Sequence, residues 1–152
     1  MKQKRHAPAT KIVNRRAKAD YSLEDEYIVG IELTGRETKA LRMGHGQLRG
    51  AHIAVKDNQL WLINATISST NTFQIDESEQ TRSRRLLAKR KEIDMLIAAK
   101  QQGRAIIPLE LMTRGRYIKL KIAAGKGKKR YDKRADIKRR DLERETQRTL
   151  KR

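Results

Sequence analysis

Positive charge is crowded into the two ends of this chain, and only the stretch between them has the balance of apolar and charged residues from which a core can form. Residues 1–20 carry seven basic and one acidic residue (+6), and residues 125–152 carry thirteen and five (+8). The intervening 21–124 hold seventeen and twelve (+5). A chain of 152 residues has room for one ordinary domain. The layout therefore predicts a basic, flexible N-terminal arm over 1–11, one folded domain over 12–124 and a basic C-terminal tail over 125–152. The total of 37 Lys and Arg against 18 Asp and Glu, +19, is a self-repulsion that a polyanion would relieve. RNA, DNA and anionic membrane are the candidates. Membrane is the weakest, because no apolar stretch approaches the roughly 18 to 20 residues of a span and the basic ends have too few large apolar residues to anchor an interfacial helix. The first ten residues lack the apolar run of a secretory signal. The absence of cysteine removes disulfides, thiolate metal sites and a Cys nucleophile together, and fits a reducing, cytoplasmic setting.

Within the middle, Tyr27, Val29, Ile31 and Leu33 alternate with Ile28, Gly30, Glu32 and Thr34, the period of a strand with one face inward. The same alternation recurs at Ala51, Ile53 and Val55. Asp57-Asn58 then makes a turn before residues 60–63, which predicts a hairpin. A second hairpin is expected from 106–112 and 117–124, folded over Arg114-Gly115, with Lys119 and Lys121 outward. Pro108 moves its strand towards an edge or a bulge. Between the hairpins the period changes: Leu86, Arg90, Ile93 and Leu96 or Ile97 return every three to four residues, predicting one amphipathic helix over 83–102 that stops at Gly103. A shorter helix is expected over 36–43. Short strands in hairpins with few covering helices suggest a mainly β fold with flanking helices, a small closed antiparallel barrel.

The C-terminal tail opens with Gly125-Lys126-Gly127-Lys128-Lys129-Arg130-Tyr131-Asp132-Lys133-Arg134. Its lysines can meet successive phosphates, and Tyr131 could stack on an unpaired base for about 1 to 3 kcal/mol. The bland reading, a solvated charge run, stands beside it. Farther on, only Ile137, Leu142 and Leu150 are large and apolar, too few to bury a stripe. This segment is expected to be disordered when free and helical on a polyanion; residues 132–151 as one helix would span about 30 Å. No reactive centre is visible. His6, His45 and His52 have no partner at metal-ligand spacing, and no serine stands in a nucleophile elbow. Glu24-Asp25-Glu26 and Asp76-Glu77-Glu79 read as solvated clusters rather than cation sites, and Trp61 as partly buried.

Taken together, Asn14-Arg15-Arg16-Ala17, Gly35-x-Glu37-x-Lys39-x-Leu41-Arg42, Thr81-Arg82-Ser83-Arg84-Arg85-Leu86-Leu87 and the Gly127-Lys128-Lys129-x-Tyr131-Asp132-Lys133-Arg134-x-x-Ile137-Lys138-x-Arg140-Asp141 block resemble, in order and spacing, small protein B, the tmRNA-binding (SsrA-binding) protein family. The resemblance spans about residues 12–145, and its last block is the most specific. It implies a barrel similar to an oligonucleotide-binding fold that binds the tRNA-like domain of tmRNA and escorts it into stalled ribosomes. The tail would become helical in the empty mRNA channel, near small-subunit rRNA at the decoding centre. Carried over to matching positions, the tmRNA-facing residues would be Asn14, Arg15, Arg16, Lys18, Glu37, Lys39, Arg42, Arg84, Arg85, Leu87 and Lys89. The ribosome-sensing tail would use Lys126, Gly127, Lys128, Lys129, Tyr131, Asp132, Lys133, Arg134, Lys138, Arg139 and Arg140. The chain departs from the family pattern at Ala19, where the family usually has His, at Ile28, where it has an acidic residue, and at Lys89, where it has Asn or His.

The reading that follows is a monomeric, non-enzymatic RNA-binding protein of trans-translation, without metal or other cofactor. Phosphate contacts would supply affinity and a few placed side chains orientation. A ribosomal or general RNA-chaperone protein is the alternative binding module. An RNA-processing enzyme using the acidic clusters is the alternative from another class.

Overall fold

Strand formation begins where the alternation is strictest. The computed structural model describes residues 11–151; His6 and all but Lys11 of the N-terminal arm lie outside them. A two-residue strand β1 (Ile12–Val13) and one turn of helix, α1 (Ala17–Asp20), lead into β2 (Tyr21–Ile31). Helix α2 (Gly35–Arg42) follows, started by Thr34, whose hydroxyl accepts from the Glu37 amide. Next come β3 (Gly46–Gln47), β4 (His52–Lys56), β5 (Gln59–Ile63), β6 (Thr66–Ile67), the short α3 (Glu77–Gln80) and β7 (Arg84–Leu87). The chain closes with α4 (Arg90–Gln101), β8 (Ala105–Met112), β9 (Lys119–Gly127) and α5 (Arg130–Leu150).

Seven strands form one sheet in the order β1-β8-β9-β2-β7-β5-β4, and β3 and β6 make a separate pair. All pairings are antiparallel. The fold is thus mainly β with flanking helices. The ladder has ends at β1 and β4, but β4 comes back alongside β8, so the sheet curls strongly around its inner face. That face is apolar: Val29, Leu60, Leu86, Leu120 and Ile122 meet there, with Leu96 of α4 over them.

Both expected hairpins form. Asp57 and Asn58 hold φ of 52° and 56°, the paired left-handed conformation that a two-residue turn between twisted strands needs. The β8–β9 turn passes through Gly115 at φ 89°. Pro108 sits at a register shift between 108 and 110, a bulge, because it has no N–H to give the ladder. Gly125 lies where β2 comes close to β9: a Cβ there would stand 2.7 Å from the Ser22 carbonyl oxygen, whereas nothing lies within 4 Å at Gly127. Gly125→Ala is accordingly expected to cost about 1–3 kcal/mol. Its thermal midpoint should fall by several degrees while that of Gly127→Ala stays at the wild-type value; equal midpoints would show that the strands yield freely.

One expectation is corrected. Residues 83–102 are not a single helix: 84–87 form strand β7, and the helix begins only at Arg90. In β7 the side chains of Arg84 and Leu86 point inward and those of Arg85 and Leu87 outward, a period of two. Lys89 is extended at ψ 146° and breaks the chain before α4, where the Glu92 carboxylate accepts the Lys89 N–H at 3.1 Å. The strand fills the place between β2 and β5, without which the β4–β5 hairpin would have no ladder to the rest of the sheet.

The tail boundary also moves. β9 runs to Gly127, pairing Gly125 with Leu23, Lys126 with Ser22 and Gly127 with Tyr21, so these three residues belong to the sheet. From Arg130 the chain is one helix with no buried side chain.

Candidate nucleic-acid interface

The most heavily hydrogen-bonded side chain among the expected contact residues faces the interior. Arg84 is 0% exposed. Its Nε donates to Glu37 Oε2 at 2.7 Å, Nη1 to the carbonyls of Ala65 and Arg82 at 3.0 Å each, and Nη2 to those of Glu79 and Gln80 at 3.2 and 3.1 Å. Five N–H donors thus meet five acceptors, and none is left for RNA. Burial draws the guanidinium below the usual arginine pKa, and the bond to Glu37 opposes that. Glu37, itself 1% exposed, takes Arg82 Nε on its other oxygen at 2.7 Å. Glu37 and Arg84 are therefore corrected from RNA-facing residues to an internal clamp that ties α2, β7 and the segment from Ala65 to Gln80 together. The inward turn of alternate β7 residues puts Arg84 there.

Two other expected residues spend their groups on the fold. Arg42 donates from Nη1 to Thr113 O at 3.1 Å and from Nη2 to Arg116 O at 3.0 Å, pinning the tip of the β8–β9 hairpin. Asn14 donates to Pro108 O at 2.9 Å. Lys39 stands over the Phe73 ring, 4.6 Å from its centroid. Arg15, Arg16 and Lys18 are exposed. Arg16 shares a concavity of about 480 Å³ with Arg49 and His52, neither singled out as a contact in the sequence.

The outward residues of the central strands make a different surface. Ile28 of β2 and Leu87 of β7 are half exposed, at 51% and 52%. Gly30, the β2 partner of Leu87, leaves room between them: a Cβ there would meet Leu87 Cβ at 3.2 Å. The pair floors a concavity of about 790 Å³ lined by four cations, Arg85, Lys89, Arg90 and Lys119, and one carboxylate, Glu92. An apolar floor with a cationic rim suits a nucleic acid, whose bases pack while its phosphates pair. The rim residue Lys119 was legible only as an outward position on its strand. Trp61 is half-buried and pairs with Arg85 across the ladder.

Two of the three carboxylates of the acidic cluster in β2 are engaged in ion pairs. Glu24 meets Arg104 at 2.6 Å, and Glu26 meets Lys121 at 2.9 Å, a hydrogen bond that raises the lysine's pKa. Among the described residues no group of His, Asp and Glu could hold a metal ion, and no helix is long and apolar enough to cross a membrane.

The tail's charged groups divide into two sets. Lys128 and Lys133 lie against α1, with Lys128 Nζ donating to Lys18 O at 2.9 Å. Tyr131, 65% exposed, stands free at the start of α5, and Arg134, Lys138, Arg139 and Arg140 are exposed along it.

Known proteins resemble this chain over most of its length. The SsrA-binding protein of Roseiflexus sp. (strain RS-1) is 41% identical over 140 residues, 91% of this chain and 89% of that protein. That of Coxiella burnetii (strain Dugway 5J108-111) is 40% identical over 150 residues, covering 97% and 94%. A solved chain described as "tmRNA-SmpB: a journey to the center of the bacterial ribosome" superposes with a TM-score of 0.65 at 32% identity, over 82% of this chain and 87% of its own. The pattern of the family described as SmpB protein matches residues 11–152. With the curled sheet, the cation-rimmed floor and the basic tail all inside the matched span, the chain belongs to the SmpB protein family.

Proposed function

We propose that this protein binds the tRNA-like domain of tmRNA and delivers it to stalled ribosomes for trans-translation, with the core holding the tmRNA and the tail sensing the empty mRNA channel. The observation that carries the reading is the Ile28–Leu87 floor rimmed by Arg85, Lys89, Arg90 and Lys119, in a chain whose relatives are named SsrA-binding proteins. The rim draws phosphates, and the rigid sheet fixes which part of the RNA reaches the floor. With Ile28 and Lys89 in place of a carboxylate and an Asn or His, contact here rests on apolar packing and charge.

Finer features belong to the same reading. The curled sheet acts as a closed barrel of the oligonucleotide-binding kind, supported by the return of β4 alongside β8. The distal tail is disordered when free and helical on RNA, supported by the absence of any buried side chain in α5. The tail's Lys129, Tyr131, Asp132, Lys138 and Arg140 act on the ribosome, and Arg15, Arg16, Lys18 and Lys39 add to the core's RNA contacts. The protein works as a cytoplasmic monomer and as a binding protein rather than an enzyme, supported by the pairing of Glu24 and Glu26 with cations.

Competition between a tmRNA tRNA-like fragment and bulk tRNA tests the proposal. The fragment should displace bulk tRNA at least tenfold more effectively than the reverse, and Arg85→Ala with Lys119→Ala should lower its affinity and flatten the salt dependence by about two unit slopes. Equal competition by the two RNAs would favour a general RNA chaperone.

A further inference from the structure

The junction between core and tail carries contacts that no RNA-binding role explains. The Lys128 amide donates to Asp20 O at 2.8 Å, where β9 ends. Lys128 Nζ then donates to Lys18 O at 2.9 Å, taking one of the carbonyls that the end of α1 leaves without a helical partner. The same ammonium meets Asp136 Oδ2 at 2.5 Å, and Lys133 Nζ meets Asp20 Oδ1 at 3.1 Å. Lys133 and Asp136, three apart on a helix, lie on one face. The bond from Lys128 holds the Asp136 carboxyl below its ordinary pKa. The surface beneath is firm: Ala17, 2% exposed, sets α1 on a small cluster of Ile107, Leu109 and Ala123.

We infer that Asp20, with the end of α1, is a seat that positions the first two turns of α5 and serves as the nucleus from which the tail helix grows. Starting a helix is the costly step, since several residues are fixed before the first bond is repaid; adding residues to an existing turn is nearly free. The seat fixes Lys128, Lys133 and Asp136 from outside the helix, across the turn in which the Lys133 amide bonds Lys129 O at 3.2 Å. Beyond Arg139, α5 has no ion pair to the core among the described residues. The tail then folds in one direction, outward from the core, and leaves the core along a fixed line. The inference rests on the proposed reading of the tail for its purpose, but not for its test.

The test is amide hydrogen exchange by NMR on the full chain without RNA. In the wild type, amides 133–137 should be protected while 142–150 exchange freely. Asp20→Asn should lower protection of 133–137 by about two- to fivefold, and Asp20→Asn with Asp136→Asn by roughly tenfold, as expected for one and two partly exposed ion pairs. Asp20→Glu should keep protection near the wild-type level, and Asp20→Lys combined with Lys133→Asp should restore it. On stalled ribosomes, Asp20→Asn should slow peptide tagging with unchanged affinity for the tRNA-like fragment, and Asp20→Glu should rescue it. Unchanged protection in the double Asn variant would overturn the seat. So would a loss extending into β2 and β9, which would mean that these contacts hold the sheet rather than the tail. Because the exchange measurement contains no RNA, a protein that fails to prefer tmRNA leaves its outcome untouched.

Discussion

Replacing Glu37 by alanine is expected to remove about 3–5 kcal/mol of folding free energy, a large part of the stability of an ordinary domain. The carboxylate takes Arg82 and Arg84 on its two oxygens at 2.7 Å each, and Arg84 has no exposed surface. Without Glu37, a buried cation keeps its four carbonyl acceptors but loses its counter-charge, and an unpaired charge in the interior is far costlier than a weak surface ion pair. Urea unfolding should show the midpoint falling sharply with the slope unchanged. A paired change, Glu37→Gln with Arg84→Met, should recover a large part of the loss, because it removes both charges together. Loss of less than 1 kcal/mol in Glu37→Ala would show that water reaches Arg84. The variant should also weaken RNA binding, but only in proportion to the unfolded fraction. Arg85 and Leu87 project outward because Arg84 and Leu86, which alternate with them along β7, point inward, so a stabilising osmolyte should restore affinity to Glu37→Ala and not to Arg85→Ala.

That clamp marks the limit of what local sequence reveals. The second half of β2 (27–31, although the expected strand ran on to 34), β4 with β5, and β8 with β9 were legible because alternation and turn chemistry are local: Asp57-Asn58 and Gly115 stand within a few residues of the strands they join. β7 was not. Its four residues are too few to display a period, and Leu86, Arg90, Ile93 and Leu96 fall at helical spacing although only the last three belong to α4. Two arginines in a row read as surface, and the partner that draws Arg84 inward lies 47 residues away. The same distance effect hid the work of Arg42, whose acceptors stand 71 and 74 residues on. The outward residues of the candidate interface fared better. Once a strand is placed, alternation puts Ile28 opposite to Val29 and Lys119 opposite to Leu120, and only their convergence on one concavity needs the sheet order.

Removing residues 128–152 is expected to abolish peptide tagging on stalled ribosomes while leaving affinity for the tRNA-like fragment within about tenfold of wild type at physiological salt. The division follows from where the chain stops contributing to the core. β9 completes its ladder at Gly127, opposite Tyr21, and α5 buries no side chain, so truncation after Gly127 removes no apolar packing. Thermal stability should change by about 1 kcal/mol or less, the weight of partly exposed ion pairs at the seat. The floor at Ile28 and Leu87 and its rim lie wholly before residue 128. What truncation does remove is twelve basic and five acidic residues, a net +7. That charge acts at long range on the rate of encounter, is screened beyond about 8 Å in physiological salt, and so accounts for the modest loss allowed to the fragment. Under the proposed division of labour, the tail would present its cations and Tyr131 to the ribosome on a rod of about 30 Å. Measured side by side, fragment affinity and tagging should separate by orders of magnitude. A parallel fall in both would mean that the tail holds the tmRNA itself, and would refute the assignment of core and tail to different RNAs.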